Sequence, residues 1–403
     1  SAPVRILHVD KFLPPTGGVG ACVRALVRLQ AGRGHEVHQF GCVRGDGPAG
    51  MPRYFDFAAV RDAASLPRMI HDVGAAETLA AFLRRHPVDV AHLHNVYHHL
   101  TPSILPVLAR RGVGVVMTVH DYRLACPTRH LLRRDGVCTR CVSGRFHHAA
   151  GARCAGLAGA ALAVETAVQR LARRYFRPVA FFLCPSRFAR DVLRRAGAPA
   201  SKLVLLPNVL DLPAAPAEGA GRRELLYAGR ISPEKAPEMM LDLAAAAGDA
   251  EVTVCGEGPG LPALRAEAGR RRLHNVRFEG QLAPEDLARR CARAAAVVLT
   301  SRWVENSPMA MLEAMAMGRC VIVPDHPPLR EWVRDGRTGR TFHPGDAADL
   351  ARVAQEVLDD APARTAMGQA ARRLVRRRHD PARLMPRLEG LYEEAIRRCA
   401  WRC

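Results

Sequence analysis

The chain has 403 residues, 48% of them hydrophobic, and a formal net charge of +20. This apolar fraction excludes a disordered chain, and the length predicts two or three domains that each bury a core. The charge by itself favours nucleic acid or an acidic membrane as a partner. However, only three of the 59 basic residues are Lys, a bias typical of a GC-rich genome, so the charge is weak evidence for a polyanion.

The chain enters a strand-like run at residues 4–9 without a basic-then-apolar leader. No apolar stretch reaches the roughly 20 residues of a membrane span, and the most apolar one, residues 155–168, is interrupted by Glu165. We therefore expect a cytoplasmic protein, with peripheral contact at the inner face of the membrane as a further prediction. Twelve irregularly spaced Cys in a chain of this size exclude a small secreted disulfide scaffold.

Short β-branched runs alternate with amphipathic Ala, Leu and Arg segments, a pattern typical of βα units and parallel sheets. The predicted strands of the N-terminal half are residues 4–9, 36–42, 88–92, 113–119, 180–184 and 202–206. Those of the C-terminal half are residues 224–228, 250–255, 276–279, 296–299 and 320–323. A Pro/Ala/Gly-rich stretch, residues 212–221, separates the two series. We predict an α/β fold of two doubly wound Rossmann-like domains, with ligands bound in the cleft between them.

A Gly-rich turn follows the first predicted strand. Gly17 and Gly18 open a helix there, and such a turn offers backbone N–H groups and the positive end of the helix dipole to a phosphate. The turn matches neither the dinucleotide fingerprint nor the P-loop. A simple tight turn is the alternative.

A second loop follows the predicted strand 296–299 and runs from Glu305 to Glu313. Asn306 or Ser307 could cap a helix with Pro308 in its first turn. The free N–H groups of that helix would suit a diphosphate. An ordinary capped helix with a solvated Glu313 is the alternative.

These two glutamates with E-x7-E spacing, followed by Ala-Met-Ala-Met-Gly, resemble the signature of retaining glycosyltransferases with the GT-B fold, family 4 type. Three further stretches are similar to motifs of that family, in the same order: 227–235, 254–259 and 335–339. Residues 89–95 and 118–121 in the N-terminal half are similar to family motifs as well. Two departures are Pro207-Asn208-Val209, which lacks the family's Gly, and the Asn-Ser-Pro that follows Glu305.

The resemblance implies transfer of a sugar from a nucleotide-diphosphate sugar, UDP first and GDP next. The acceptor would be a hydroxyl of a small molecule, natural product or glycolipid, and the anomeric configuration would be retained. Arg230 and Lys235 would stabilise the departing diphosphate. Glu305 would lie beside the donor sugar, and Glu313 would hold the ribose. The donor-binding residues would be Gly17, Gly18, Arg230, Lys235, Gly256, Gly258, Glu305, Asn306, Ser307, Pro308, Met309 and Glu313.

The resemblance also implies roles for residues of the N-terminal half. His120 would contact the donor sugar as a catalytic residue, and Asp121 would orient it or the acceptor. His94 and Asn95 would lie on the acceptor side. No Asp-x-Asp motif is evident, so we expect no metal cofactor for catalysis.

The predicted domains are an acceptor-binding domain at residues 1–206 with a Cys-rich insert at 122–155, and a donor-binding domain at residues 207–379. A terminal helix at residues 380–403 would pack back on the N-terminal domain. Asp380 before Pro381 is its predicted start signal.

Four cysteines of the insert, spaced as C-x11-C-x2-C-x12-C, suit a structural zinc site, since four thiolates can bind zinc tetrahedrally. They are Cys126, Cys138, Cys141 and Cys154. Their segment is rich in Arg and His and would lack an apolar core of its own. Free buried thiols and a disulfide or redox role are the alternatives.

Two other groups of residues stand out. The histidines at positions 92, 94, 98 and 99 resemble a metal site, although acceptor contacts or plain packing suit their place at a strand end better. Five arginines between positions 372 and 378 form either a solvated helix face or a contact with anionic lipid or an acidic acceptor.

Two rival functions remain. One is a GT-B enzyme that hydrolyses or epimerises a nucleotide sugar. The other is a basic, zinc-stabilised nucleic-acid-binding protein. We expect the glycosyltransferase, without a nucleic-acid partner.

Overall fold

A computed structural model describes residues 2–44, 48–54, 68, 70–97, 99–133, 136–151, 154, 176–210 and 223–400. These residues divide into two compact units. Unit 1 comprises Ser1–Arg133, Cys138–Val209 and Pro381–Cys403, and unit 2 comprises Arg134–Val137 and Leu210–Asp380. The predicted linker 212–221, the apolar segment 155–168 and His98 lie outside the described residues.

Unit 1 contains a parallel sheet of six strands in the order β2-β1-β3-β4-β7-β8. The strands are β1 Arg5–Phe12, β2 Glu36–Cys42, β3 Val90–Leu93, β4 Gly114–Thr118, β7 Phe181–Cys184 and β8 Leu203–Leu205. Two short strands, β5 Leu132–Arg133 and β6 Gly136–Val137, lie in the cysteine-rich segment. The order reverses between β1 and β3, and that switch point is where open parallel sheets bind ligands, beyond their carboxyl ends.

The α-helices of unit 1 are α1 Gly17–Ala31, α2 Val73–Arg85, α3 Ile104–Arg110, α4 His147–Gly151, α5 Arg187–Arg195 and, at the end of the chain, α12 Pro381–Ala400. A 3₁₀ helix, Ala200–Lys202, precedes β8. Every residue of β3 and β4 is buried, as expected for strands covered on both faces.

Helix α12 packs directly on β4. A Cβ on Gly114 would lie 2.8 Å from the backbone of Ala395, so only Gly permits this approach. Glu389 receives 2.5 and 2.9 Å hydrogen bonds from the Arg33 guanidinium, which fixes the same helix to the end of α1. The terminal helix is therefore part of the fold of unit 1.

Unit 2 contains a second parallel sheet of six strands, in the order β11-β10-β9-β12-β13-β14. Its strands are β9 Glu224–Ala228, β10 Glu251–Cys255, β11 Val276–Gly280, β12 Ala296–Val298, β13 Cys320–Pro324 and β14 Arg340–Phe342. This is the dinucleotide-fold order, which reverses between β9 and β12.

The α-helices of unit 2 are α6 Met239–Ala246, α7 Leu261–Arg270, α8 Pro284–Arg293, α9 Met309–Ala316, α10 Ala347–Asp359 and α11 Ala361–His379. Two 3₁₀ helices, Pro233–Lys235 and Leu329–Glu331, lie in its loops. Its core is built from the apolar strands and the inner faces of α6, α10 and α11.

All eleven predicted strands are present, with ends displaced by up to three residues. The prediction missed β14, because its three residues include the charged Arg340 and follow directly on the turn at residues 335–339. Asp335 closes that turn by accepting a 2.8 Å hydrogen bond from the Thr341 N–H. Among the described residues, no helix combines the length and apolar character needed to cross a bilayer.

Candidate functional site

Two loops of unit 2 meet at the switch point of its sheet. Strands β9 and β12 pair in parallel, so the loops that leave their carboxyl ends are neighbours. The β9 loop carries Arg230 and Lys235, and the β12 loop carries Glu305. The sequence placed all three residues in the donor site, and the fold brings their loops together at the position where such sheets bind nucleotides.

Lys235 and Glu305 form an ion pair across these loops, although 70 residues separate them in sequence. The Lys235 side chain is 24% exposed, and the Glu305 side chain is 4% exposed. The Ser301 hydroxyl donates a 2.6 Å hydrogen bond to the same carboxylate oxygen. The Lys235 Nζ also lies 5.4 Å from the centroid of the Trp303 ring, at cation–π distance. The lysine is thus held in place from two sides.

Hydrogen bonds to backbone carbonyls lock the two loops together. The Thr300 hydroxyl donates to the Lys235 carbonyl at 2.7 Å, and the Arg302 N–H donates to the Glu234 carbonyl at 3.0 Å. His326 Nε2 donates to the Ser301 carbonyl at 3.1 Å. Burial lowers the pKa of His326, so it makes this bond as a neutral ring. The Lys235 side chain therefore has a preorganised setting.

Arg230 is exposed, in contrast to Lys235. Its carbonyl accepts a 2.8 Å hydrogen bond from the buried Tyr227 hydroxyl, which fixes the backbone below the side chain. Within the described part of the chain, no carboxylate pairs with its guanidinium. The guanidinium is consequently available for an anionic ligand, to which it can present two parallel donors.

The helix after Glu305 begins later than predicted. It starts at Met309, with Pro308 as the N-cap and no side-chain cap hydrogen bond. The expected cap by Asn306 or Ser307 is wrong, because Asn306 is buried in the loop and Pro308 takes the extended conformation of a cap residue. Glu313 lies half-buried in the second turn of α9.

Gly256 and Gly258 lie where the β10 loop packs against residues 229–231. The Gly229 N–H donates to the Cys255 carbonyl at 3.0 Å, and the Ile231 N–H donates to the Glu257 carbonyl at 2.9 Å. A Cβ on Gly256 would lie 1.9 Å from the Gly229 carbonyl oxygen. These glycines therefore permit the close approach that positions the Arg230 backbone, while direct contact with a donor phosphate stays a prediction.

Replacing Gly256 with Ala should lower the free energy of unfolding by about 2–4 kcal/mol and abolish nucleotide-sugar binding. The Cβ would collide with the Gly229 carbonyl, and the φ of +135° is one that side chains rarely adopt. The matched control is Gly269→Ala in α7, where a Cβ meets nothing within 4 Å. That change should be neutral or slightly stabilising. Equal unfolding midpoints for both variants in denaturant would contradict the close-packing explanation.

Four of the predicted site residues of unit 1 line one small pocket. His94, Asn95, His120 and Asp121 all contribute to its wall. The pocket lies beyond the carboxyl ends of β3 and β4, one strand from the switch point. The fold thus brings together the whole predicted acceptor side and the predicted catalytic histidine.

The side chain that holds His120 is His94, whose Nδ1 lies 2.9 Å from His120 Nε2. The sequence proposed Asp121 for orienting His120, but the Asp121 carboxylate accepts a 2.9 Å hydrogen bond from the Arg123 N–H. Its charge acts on His120 only as a smaller influence that raises the pKa. Burial outweighs it and lowers the pKa of His120 to about 4, so the ring is neutral at pH 7.

Gly17 and Gly18 are exposed at the start of α1. Gly17 has a φ of +64°, and Gly20 lies so close to Pro15 that a Cβ would be 2.4 Å from its carbonyl oxygen. The turn therefore requires Gly for its own geometry. Contact of Gly17 and Gly18 with a donor phosphate stays a prediction.

The four cysteines of the insert are free thiols near one another. Burial raises the pKa of Cys141 to about 12, and the other three thiols add to that rise. Cys141 packs with Phe146 and Ala149, and Cys154 lies against them. The expectation that this segment lacks an apolar core is therefore wrong, because Phe146 supplies one.

A structural zinc at these cysteines stays a prediction. Protein purified without chelator should carry about one zinc per chain, and removing the metal should lower the melting temperature. The comparison protein is Cys138→Ser, which should lose the metal. Metal-free protein with the same melting temperature before and after chelation would instead support free thiols.

The basic stretch between positions 372 and 378 forms the end of α11. Three of its arginines are exposed, at positions 373, 376 and 377, and two are half-buried. Arg378 donates a 2.6 Å hydrogen bond to the Glu331 carbonyl. Contact with anionic lipid stays a prediction.

Several residues of both sites escaped the sequence analysis. Ser301 and His326 support Glu305 and its loop, and His8, Asp10 and Gln30 are buried polar residues of unit 1. Burial raises the pKa of Asp10 to about 6. The available signal was a His and an Asp between the apolar residues of the first strand, since buried polar groups require partners.

The sequence matches two protein-family models and several known proteins. The family model described as Glycosyltransferase Family 4 matches residues 16–213, and the one described as Glycosyl transferases group 1 matches residues 211–374. D-inositol 3-phosphate glycosyltransferase of Streptomyces coelicolor is 34% identical over 163 residues, which cover 37% of this chain and 35% of that protein. Glycogen synthase of Mycobacterium tuberculosis is 31% identical over 198 residues, 47% of this chain and 48% of that protein.

The chain thus spans about a third to a half of the length of these curated relatives. Among solved structures, Anabaena HepE in complex with UDP and glucose superposes with a TM-score of 0.69 at 16% identity. That match covers 97% of this chain and 100% of HepE. Because the two family models together span residues 16–374 and the solved structure shares the fold, the chain belongs to glycosyltransferase family 4 and has the GT-B fold.

Proposed function

We propose that the protein transfers a sugar from a nucleotide-diphosphate sugar to a hydroxyl of a small-molecule, natural-product or glycolipid acceptor, with retention of configuration. The observation that carries the proposal is the cation arrangement at the switch point of unit 2. Arg230 is exposed there, and Lys235 is fixed beside a buried carboxylate. An arrangement of this kind suits a ligand with a diphosphate and a sugar.

The chemistry explains why two cations are needed. When the glycosidic bond to phosphate breaks, the departing diphosphate gains negative charge. Fixed cations stabilise that charge at no cost of reorganisation during the reaction. Arg230 would bind two phosphate oxygens as a fork, and Lys235 would supply a compact charge beside them.

Glu305 would act on the sugar side of the same bond. Its carboxylate is paired with Lys235 and accepts a hydrogen bond from Ser301. A carboxylate with these partners is suited to orient a sugar hydroxyl and to stabilise an oxocarbenium-like charge. Retention then follows from attack on the face of the departing phosphate, whose oxygen takes the proton of the acceptor hydroxyl.

Glu313 would hold the ribose hydroxyls of the nucleotide from the second turn of α9. We propose UDP first, because HepE, which shares the fold, was crystallised with UDP and glucose. GDP comes next.

A thermal-shift screen against UDP-, GDP-, ADP- and dTDP-sugars tests the donor. A ligand at 100 times its Kd stabilises the protein by about 2.7 kcal/mol, which gives a clear rise in melting temperature. Product analysis with hydroxyl-bearing acceptors then follows, with the anomeric configuration read by NMR. Free sugar without transfer would instead support an enzyme that hydrolyses the nucleotide sugar. Binding of nucleic acid that survives Glu305→Ala would support a nucleic-acid-binding protein.

A further inference from the structure

Three histidine rings form a hydrogen-bonded chain through the core of unit 1. His8 Nδ1 lies 2.9 Å from His94 Nε2, and His94 Nδ1 lies 2.9 Å from His120 Nε2. At the buried end, His8 Nε2 lies 2.7 Å from Gln30 Oε1. His8 and His94 are almost completely buried, at 1% and 0% exposure. The chain of rings runs from the side of α1 to the pocket at residues 94–124.

The protons of this chain can be assigned from its buried end. Gln30 Nε2 donates a 2.9 Å hydrogen bond to the Tyr392 hydroxyl, so its Oε1 faces His8 and can only accept. His8 must therefore carry its proton on Nε2, which leaves Nδ1 as an acceptor for His94 Nε2–H. His94 Nδ1 in turn accepts from His120 Nε2–H.

A branch through Tyr392 agrees with this assignment. The Tyr392 hydroxyl accepts from Gln30, so its single proton is donated to His92 Nδ1, 2.7 Å away. His92 then donates from Nε2 to the Thr118 hydroxyl at 2.7 Å. No two donors face each other in either branch. Burial lowers the pKa of all four histidines, which keeps the rings neutral as the pattern requires.

One ring nitrogen remains at the end of the chain. His120 Nδ1 has no hydrogen-bond partner among the described residues, and His120 lines the pocket. We propose that His8, His94 and Gln30 fix His120 in its Nε2–H tautomer, so that Nδ1 accepts a hydrogen bond from a sugar hydroxyl of the donor or the acceptor. The inference rests on the proposed function for the identity of that ligand. His8, His94 and Gln30 are positioning residues, since they act through His120.

A metal site made by His8, His92 and His94 is the competing explanation. One nitrogen from each of these rings lies within 4.8 Å of the others. However, both nitrogens of each ring already have a hydrogen-bond partner. A metal ion would have to break several of these bonds, and the structure therefore favours the proton-ordered chain.

NMR of protein labelled with 15N-histidine tests the tautomer directly. The His120 ring signals are identified by their loss in His120→Asn. We expect a protonated Nε2 and an unprotonated Nδ1 from pH 8 to pH 6. A His120 ring protonated on Nδ1, either as the other tautomer or as the imidazolium, would overturn the proposal whatever the activity.

Variants of His8 test the effect on transfer. His8→Leu removes the acceptor for His94 Nε2–H, so His120 should sample both tautomers and kcat should fall about tenfold. His8→Asn keeps a carbonyl oxygen near the position of Nδ1 and should recover part of that loss. Of the two substrates, the one that hydrogen-bonds to His120 should show the larger rise in KM. Comparing the KM of the donor with that of the acceptor therefore identifies the ligand of His120.

The outcomes distinguish this inference from the proposed function. Transfer by a protein whose His120 is protonated on Nδ1 would sink the inference and leave the function intact. The expected tautomer in a protein that transfers no sugar would sink the function alone. An unchanged His120 spectrum in both His8→Leu and Gln30→Leu would also overturn the inference.

Discussion

Turnover of sugar transfer should fall at least ~100-fold when Lys235 is replaced by Ala, and similarly for Arg230→Ala. This is the scale for losing one group that stabilises charge in a transition state. Lys235 is half-buried and held by Glu305 and Trp303, so its charge is fixed in position. Steady-state kinetics with saturating donor measures the effect as a change in kcat.

The ion pair complicates the interpretation of Lys235→Ala, because the variant leaves the Glu305 carboxylate buried without its cation. A carboxylate in that position is costly and could move the β12 loop. The double variant Lys235→Ala/Glu305→Gln removes the uncompensated charge and keeps an acceptor for the Ser301 hydroxyl. The melting temperature of the double variant should recover, and its turnover should fall below that of Glu305→Gln alone if the cation itself stabilises the departing diphosphate.

A matched control is Arg270→Ala, which removes an equally charged group from the exposed end of α7. Its side chain is 76% exposed, and among the described residues its one ion pair is with Glu267 on the same helix. Turnover and stability should both stay near those of the natural protein. Unchanged turnover in both Arg230→Ala and Lys235→Ala would refute the donor-site assignment.

A steep loss of stability between pH 6.5 and pH 4 is the second large effect that we expect. Burial lowers the pKa of His8 and His120 to about 4, and that of His92 and His94 well below its usual value of 6.5. In this pH range the unfolded chain binds protons that the folded chain does not. Stability from these histidines is therefore complete above pH 6.5 and is lost as the pH falls. The lowered pKa of His8 alone corresponds to a loss of about 3 kcal/mol in the free energy of unfolding.

Asp10 changes the stability with pH in the opposite direction to the histidines. Burial raises its pKa from 3.8 to about 6, so its contribution is present below pH 3.8 and is lost as the pH rises through 6. Asp10 contributes about 3 kcal/mol to the free energy of unfolding, whereas four histidines act in the other direction. The protein should therefore still lose stability in acid. Differential scanning calorimetry at pH 7.5, 6, 5 and 4.5 measures it. Equal melting temperatures over this range would show that the histidines are protonated in the folded state.

The strands and the main motifs could be predicted from the sequence because their signals are local. Continuous apolar runs such as β4 identify buried parallel strands, and Asp380-Pro381 identifies the start of α12. The order of the motifs was enough to indicate the family. The predicted cap of α9 was wrong by one or two residues, since the burial of Asn306 depends on loops that are distant in sequence.

The packing of the glycines and cysteines is visible only in the tertiary structure. Gly256 resembles part of a phosphate-binding loop in the sequence, and the structure adds a packing role, because its Cβ position is filled by the Gly229 carbonyl. Cys141 looked like part of a segment without a core, whereas Phe146 packs against it. Both findings come from packing between residues that the sequence pattern does not connect.

The sequence by itself determined the two βα series, the family resemblance and the identity of the charged residues at the donor site. Only the tertiary structure decided which partners those residues have. Lys235 meets Glu305 across 70 residues, and His8 meets His94 across 86. Pairings of this kind depend on the order of strands in a sheet, and a local pattern of apolar and polar residues carries no information about that order.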